Sequence, residues 1–349
     1  MENRSRSIPD KFKLPEWFNQ FSNRIISNTQ PSDATRVPHP FWVIVSKEVS
    51  DHVRSWRFKI LLFLILLTCL GSLYTSISAI SGGSVPRELE SNFFFLQLFT
   101  LSDGSLPPFH VFIGFLGPLL GISLGFDAIN SEKSKGTLSR IMSQPIHRDY
   151  LINAKFVAAL IMISTLFFAL GFLVMGLGMI IIGIPPTAAE FIRIIFFIFL
   201  SIIYVAFWLN LAIFFSVRFR QAATSALTCI AVWLFFTVFY QIFLSLASRA
   251  IMPGESASPE QISNYENLFY NLIRILPSQL YTDATATILM PSIRSLGPLS
   301  MDQLYGAIPS TISLGQSLLI VWPQLTGLIA ATIVCFALSY RTFMREEIR

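Results

Sequence analysis

The chain has 349 residues, of which 53% are hydrophobic and 13% charged, where soluble domains carry roughly 25% charged residues. That composition excludes an ordinary soluble fold and reads as an all-α integral membrane protein. The net charge of +5 is not by itself a nucleic-acid footprint, and no nucleic-acid partner is expected. In chain order, residues 1–37 are polar and interrupted by Pro9, Pro15 and Pro31. Trp17, Phe18, Phe21 and Ile25 there can share one face of a short helix, and the rest reads as a cytosolic tail. Pro38-His39-Pro40 then opens a helix over 38–57, with Trp42, Val45, Val49, Val53 and Trp56 on one face and Lys47, Glu48, Asp51, Arg54 and Arg57 elsewhere on the wheel. This pattern predicts an interfacial helix on the cytosolic leaflet, with Trp42 and Trp56 as anchors.

Six stretches approach the roughly 20 apolar residues that a bilayer-spanning helix needs. They are Phe58–Ile80, Phe109–Phe126, Phe156–Ile182, Ile192–Val217, Ala222–Ala247 and Gln316–Tyr340, and together they make a six-span domain over 58–340. With the N-terminus inside, most of the 25 lysines and arginines fall on cytosolic segments: those up to Lys59, the group in Lys133–Lys155, Arg218 and Arg220, and those from Arg341. Arg87, Arg193, Arg249, Arg274 and Arg294 remain outside. The bias predicts six spans with both termini cytosolic and a short 341–349 tail, and the membrane is expected to be the plasma membrane.

In the second span Gly117, Gly121 and Gly125 recur every four residues and predict a close helix contact, with Pro118 as a kink. Gly121-Ile122-Ser123-Leu124-Gly125 also satisfies the spacing of a hydrolase nucleophile. That reading fails: the serine lies in an apolar span, and the one span histidine, His110, is thirteen helical residues or about 20 Å away. Asn210 and Gln241 read as interhelical hydrogen-bonding residues, with substrate contact as the alternative. The third to sixth spans lack interior ionised residues, which argues against ion-coupled transport. The 248–315 loop is expected outside. Ser258-Pro259-Glu260-Gln261 forms a capping box, and Tyr265, Leu268, Phe269, Leu272, Ile273 and Leu276 form a helical stripe stopped by Pro277, with irregular chain beyond. Cys69, Cys229 and Cys335 have no metal or disulfide spacing, and no HExxH, EF-hand or GxxxxGK[ST] pattern occurs, so neither a metal site nor ATP binding is expected in this chain. No secretory signal peptide is apparent.

The one strongly polar interruption of the central half is the 127–155 loop. Gly136 breaks the chain direction, Thr137 is an acceptable N-cap, and Leu138, Ile141 and Met142 form one stripe before Pro145 ends the helix. So short a helix needs a surface to hold it. Either a partner receives the stripe or the loop folds onto its own chain. The order Glu132, Gly136-Thr137-Leu138, Pro145, Arg148 and Lys155 resembles the first cytoplasmic loop of type-2 ABC transporter permeases. Within that family the chain is most similar to the branch for copper-site maturation, antibiotic or peptide export.

The resemblance implies a coupling helix that docks on a cytosolic ABC ATPase. It also implies two ATPase copies that bind ATP and Mg, a pair of permease chains as a homodimer, and a connecting helix at 38–57 that helps to grip the ATPase. Glu132 and Arg140 or Arg148 are the expected polar contacts, with Leu138, Ile141 and Met142 as an apolar plug. The function so implied is export of an amphipathic or lipid-like substrate by a non-enzymatic membrane subunit. The alternative is a mechanical transmitter that passes ATPase motion to an extracytoplasmic partner.

Overall fold

The structure is a computed structural model that describes residues 39–81, 93–144, 146–183, 185–252, 258–291 and 312–345. The expectations for the 1–37 tail, for Pro145 and for parts of the 248–315 loop lie outside the described residues. All regular structure among the described residues is helical, and six of the helices are long and apolar enough to cross a bilayer.

Helix α1 (Pro40–Arg54) has proline at its first position, where the missing N–H costs nothing. It stops one residue before α2 (Trp56–Ser81), so Trp56 opens the first span instead of closing the interfacial helix. Against the rest of the chain α1 packs through one side only. Val45 and Glu48 are buried, with Phe41, Ile44 and Val49 beside them against Ala154 and Ala158. Trp42 and Val53 are about half exposed, and Trp56 more so.

The second span, α4 (Phe109–Gly125), is followed by two short helices, α5 (Asn130–Ser134) and α6 (Thr137–Met142). The third, α7 (Arg148–Ile182), has 35 residues, or about 52 Å at 1.5 Å per residue. It is too long for the hydrocarbon alone, and its first two turns extend the span towards the loop. The fourth, α8 (Ala188–Arg218), starts at a Thr187–Glu190 capping box and forms the hub of the bundle. In its most apolar stretch 72% is buried, against 11% for the fifth span, which therefore lies at the periphery.

The glycines of α4 explain how it meets α8. A Cβ at Gly121 would lie 2.7 Å from the Val205 carbonyl oxygen, and one at Gly125 would lie 2.8 Å from that of Leu209. At Gly117 the nearest obstacle is only the Val205 side chain, at 2.8 Å. Between them Pro118 deprives the Gly114 carbonyl of its helical donor, and Tyr204 of α8 supplies one from outside, its hydroxyl donating at 3.0 Å. Tyr204 is stacked on Tyr281, with centroids 4.4 Å apart.

The fifth span is interrupted. An α-helix α9 (Ala222–Leu234) passes through a π-turn at Phe235–Phe239 into α10 (Tyr240–Ile251). At that end of the bundle lie three further helices: α3 (Phe94–Thr100), α11 (Pro259–Ile273) and α12 (Pro277–Leu289). Pro277 thus opens a helix where irregular chain was expected. Its ring sits at the N-terminal position that tolerates it. The sixth span is α13 (Leu314–Arg345).

Buried charges stitch this end together. Glu190 accepts from the Phe95 N–H at 2.7 Å. Arg193 donates to the carbonyls of Ile288 and Ile312 and to Ser317 at 2.7–3.0 Å.

Candidate functional site

The opposite end holds α1, α5, α6 and the start of α7, and its geometry begins with the turn out of α4. The N-terminus of α5 has no cap of its own. Ser216, near the C-terminus of α8, provides one: its Oγ accepts from Ile129 N at 2.9 Å and Asn130 N at 3.2 Å. Next to it Lys133 Nζ donates to the Val217 carbonyl at 3.0 Å. The start of the loop is therefore fastened to the junction between the fourth and fifth spans.

Gly136 lies between α5 and α6 with φ +69°, and nothing stands within 4 Å of where its Cβ would be. The requirement for glycine there is conformational and owes nothing to space. Gly136 is also the residue preceding the helix, so Thr137 is the first helical residue and not the cap. Its hydroxyl donates instead to the Glu132 carbonyl at 3.3 Å.

The apolar stripe of α6 turns inward. Leu138 is only 3% exposed and belongs to the main core, and Met142 packs on the same core. Ile141 is half-buried and lines a polar cleft. The stripe is largely covered by the chain itself, and the face left open carries Ser139, Arg140, Ser143 and Gln144.

The charge network is centred on Lys155, in the third turn of α7. Its ammonium is buried and lies 2.9 Å from Glu48 of α1 and 2.8 Å from Glu132 of α5. Lys47 approaches Glu48 at 3.1 Å, so two cations match the two buried carboxylates. Burial pushes the Glu48 carboxyl upward, but Lys155 and Lys47 more than offset it and hold the group below its ordinary value. Burial also keeps the His52 imidazole below its usual value, so it is neutral at pH 7. A second pair, Arg57 to Asp127 at 2.7 Å, ties the start of α2 to the end of α4, with the guanidinium 5.0 Å from the Phe126 ring centroid.

These elements enclose a polar cleft of about 680 Å³. Its walls include Glu48, His52, Asp127, Glu132, Lys135 and Arg140, and Ser123 opens onto it from the end of α4. Among the residues expected to meet a partner, Glu132 and Glu48 are turned inward, whereas Arg140, Arg148, Lys47 and Arg54 are exposed. Asn210 is buried and reaches the Thr332 carbonyl of α13 at 3.5 Å, while Gln241 lies exposed on the fifth span. Among the described residues no cluster of side chains fits a metal ion.

Sequence reasoning overlooked Ser216, Asp127 and the partners of Lys155. The available signal was Lys155 itself, an ionisable residue at the very edge of an apolar run, where an unpaired charge is costly.

A family model described as ABC-2 family transporter protein matches residues 42–348. The chain belongs to that family. It is 27% identical over 210 residues to the probable ABC transporter permease protein NosY of Pseudomonas aeruginosa, a match covering 58% of this chain and 69% of that relative. As an ABC-2 family member with six apolar helices it is a multi-pass membrane protein and the membrane subunit of an ABC transporter. The family role is that of a non-enzymatic subunit, and it implies a partner ATPase. The charged end built from α1, α5, α6 and α7 lies within the matched region, apart from the first two residues of α1.

Proposed function

We propose that this chain is the permease of an exporter, and that the α1–α6 end receives the stroke of a cytosolic ATPase. Two permease chains and two ATPase copies make the working unit, in the plasma membrane, with both termini cytosolic. The observation that carries this reading is the double ion pair of Lys155. One buried ammonium holds together α1, the loop helix α5 and the third span.

Those three parts move as one body, because separating either carboxylate from Lys155 leaves charge buried without its partner. Ser216 passes the displacement of α5 to the end of α8, and the glycine seam then passes it to α4. The apolar spans favour an amphipathic or lipid-like cargo. A second reading, transmission to an extracytoplasmic partner, draws support from α11, where Ile262 and Leu268 are 44% and 52% exposed.

The test uses Ser143→Cys, an exposed position just after α6. In intact cells it should resist a membrane-impermeant maleimide, and in inverted vesicles it should react and cross-link to the ATPase. Labelling from outside the cell would refute the orientation and the coupling role together. Charge placed at Leu138 is a poor test, because that side chain is buried within this chain and its loss disturbs the loop's own packing.

A further inference from the structure

The cleft between α1 and α6 contains polar groups that its own residues leave unmatched. Lys135 and Arg140 are exposed, line the cleft and form no ion pair among the described residues. Deeper in the same cleft, Glu132 is only 8% exposed. Its Oε1 takes the Lys155 ammonium, whereas its Oε2 is buried with no hydrogen-bond partner. The other charges of the cleft are balanced locally: Lys47 against Glu48 and Asp51, and Arg57 against Asp127.

An occupant must therefore bring negative charge to the rim and a hydrogen-bond donor to the floor. A purely apolar ridge offers neither and leaves the Glu132 oxygen orphaned. An anionic lipid headgroup satisfies the rim but presents further negative charge to a buried carboxylate. A protein segment carries both kinds of group on one chain, with side-chain carboxylates and backbone or side-chain N–H.

We propose that the surface of the ATPase that enters this cleft is acidic. Its carboxylates pair with Lys135 and Arg140, and one of its N–H groups donates to Glu132 Oε2. The proposal rests on the ATPase-coupled reading above and specifies the chemistry of that partner's docking segment. It replaces the apolar plug by a polar, charge-directed contact, because Leu138 and Met142 are already engaged inside this chain.

The experiment uses the full-length permease in nanodiscs and its ATPase, identified by co-purification and then purified. Binding is titrated by biolayer interferometry for wild type, Lys135→Ala/Arg140→Ala and Lys135→Glu/Arg140→Glu. Discs are made of phosphatidylcholine alone or with phosphatidylethanolamine and phosphatidylglycerol. Both positions are exposed, so the variants should melt like wild type. The charge reversal should weaken ATPase binding at least about tenfold at low salt, with the alanine pair intermediate. The gap should close near 0.5 M salt, where the Debye length has fallen to about 4 Å.

Unchanged or tighter binding by the charge-reversed chain would overturn the acidic-partner proposal while leaving the coupled reading intact. A defect seen only in discs containing the added lipids would assign the cleft to headgroups and overturn it equally. Wild-type chain that binds no ATPase in either disc would sink the coupled reading itself, and the proposal with it.

Discussion

Replacing Lys155 with methionine removes the one cation shared by Glu48 and Glu132. The ammonium and both carboxylates are at least nine-tenths buried as residues, so solvent does little to screen the loss. Breaking a buried pair from one side costs about 3–5 kcal/mol, most of it the penalty of stranding the remaining charge. Glu48 keeps Lys47 at 3.1 Å, which places the expected loss near the lower end, about 3 kcal/mol. At about 2–4 °C per kcal/mol for chains of some 200 residues, that is a fall of roughly 6–12 °C in melting temperature. A thiol-reactive dye can follow the transition in detergent, because Cys69 and Cys229 are free and buried until the bundle opens.

The pH dependence gives a sharper signature. In wild type the Glu48 carboxyl lies below its ordinary value of 4.5, so its pairing stabilises above that pH and is lost as pH falls through the depressed value. In the variant only Lys47 opposes burial, and the Glu48 value rises. A raised carboxyl contributes stability at low pH and loses it as pH rises. The gap between variant and wild type should therefore narrow from pH 7.5 to about pH 5. Equal melting at pH 7.5, or a gap that widens on acidification, would refute the reasoning.

The glycine seam predicts an order of sensitivity. Gly121→Ala and Gly125→Ala meet backbone atoms of α8 and should lower the melting temperature more than Gly117→Ala, which meets a side chain that can turn aside. Tyr204→Phe should cost about 1–3 kcal/mol by stranding the Gly114 carbonyl, and much less in a Pro118→Ala background, where the helix regains its own N–H. A double-mutant cycle showing no coupling between the two positions would dismiss that account. Ser216→Ala should raise hydrogen exchange at the Ile129 and Asn130 amides about fivefold, the equivalent of a lost cap worth about 1 kcal/mol, and Ser216→Thr should restore protection.

The six spans were legible because apolar runs of the required length are a one-dimensional signal, bounded here by Trp56, Arg148, Arg218 and Arg345. Gly136 and the Leu138–Ile141–Met142 spacing likewise announced a short helix in the loop. What covers that helix was not legible, since a stripe three and four residues apart is the same whether a partner or the chain itself packs on it. The partners of α1 were not legible for a related reason. The stripe Trp42, Val45, Val49, Val53 and Trp56 was visible, but not that Glu48, on the polar side of the wheel, is buried against Lys155. Ion pairs between residues as far apart as Glu48 and Lys155 leave no periodic trace. The short helix Pro277–Leu289 was hidden by its own first residue, a proline that ends one helix and begins another.

The π-turn in the fifth span carries one residue more than an α-helical turn would. Everything beyond it is rotated by about 100° from the heading that the first half sets. Tyr240 is the first residue after the surplus, and its hydroxyl reaches the Leu272 carbonyl of α11 at 2.9 Å. The extra residue is what aims that tyrosine. Deleting any one position within 235–239 would leave a span still long enough for the bilayer, but swing its far half away from α11 and set that helix adrift.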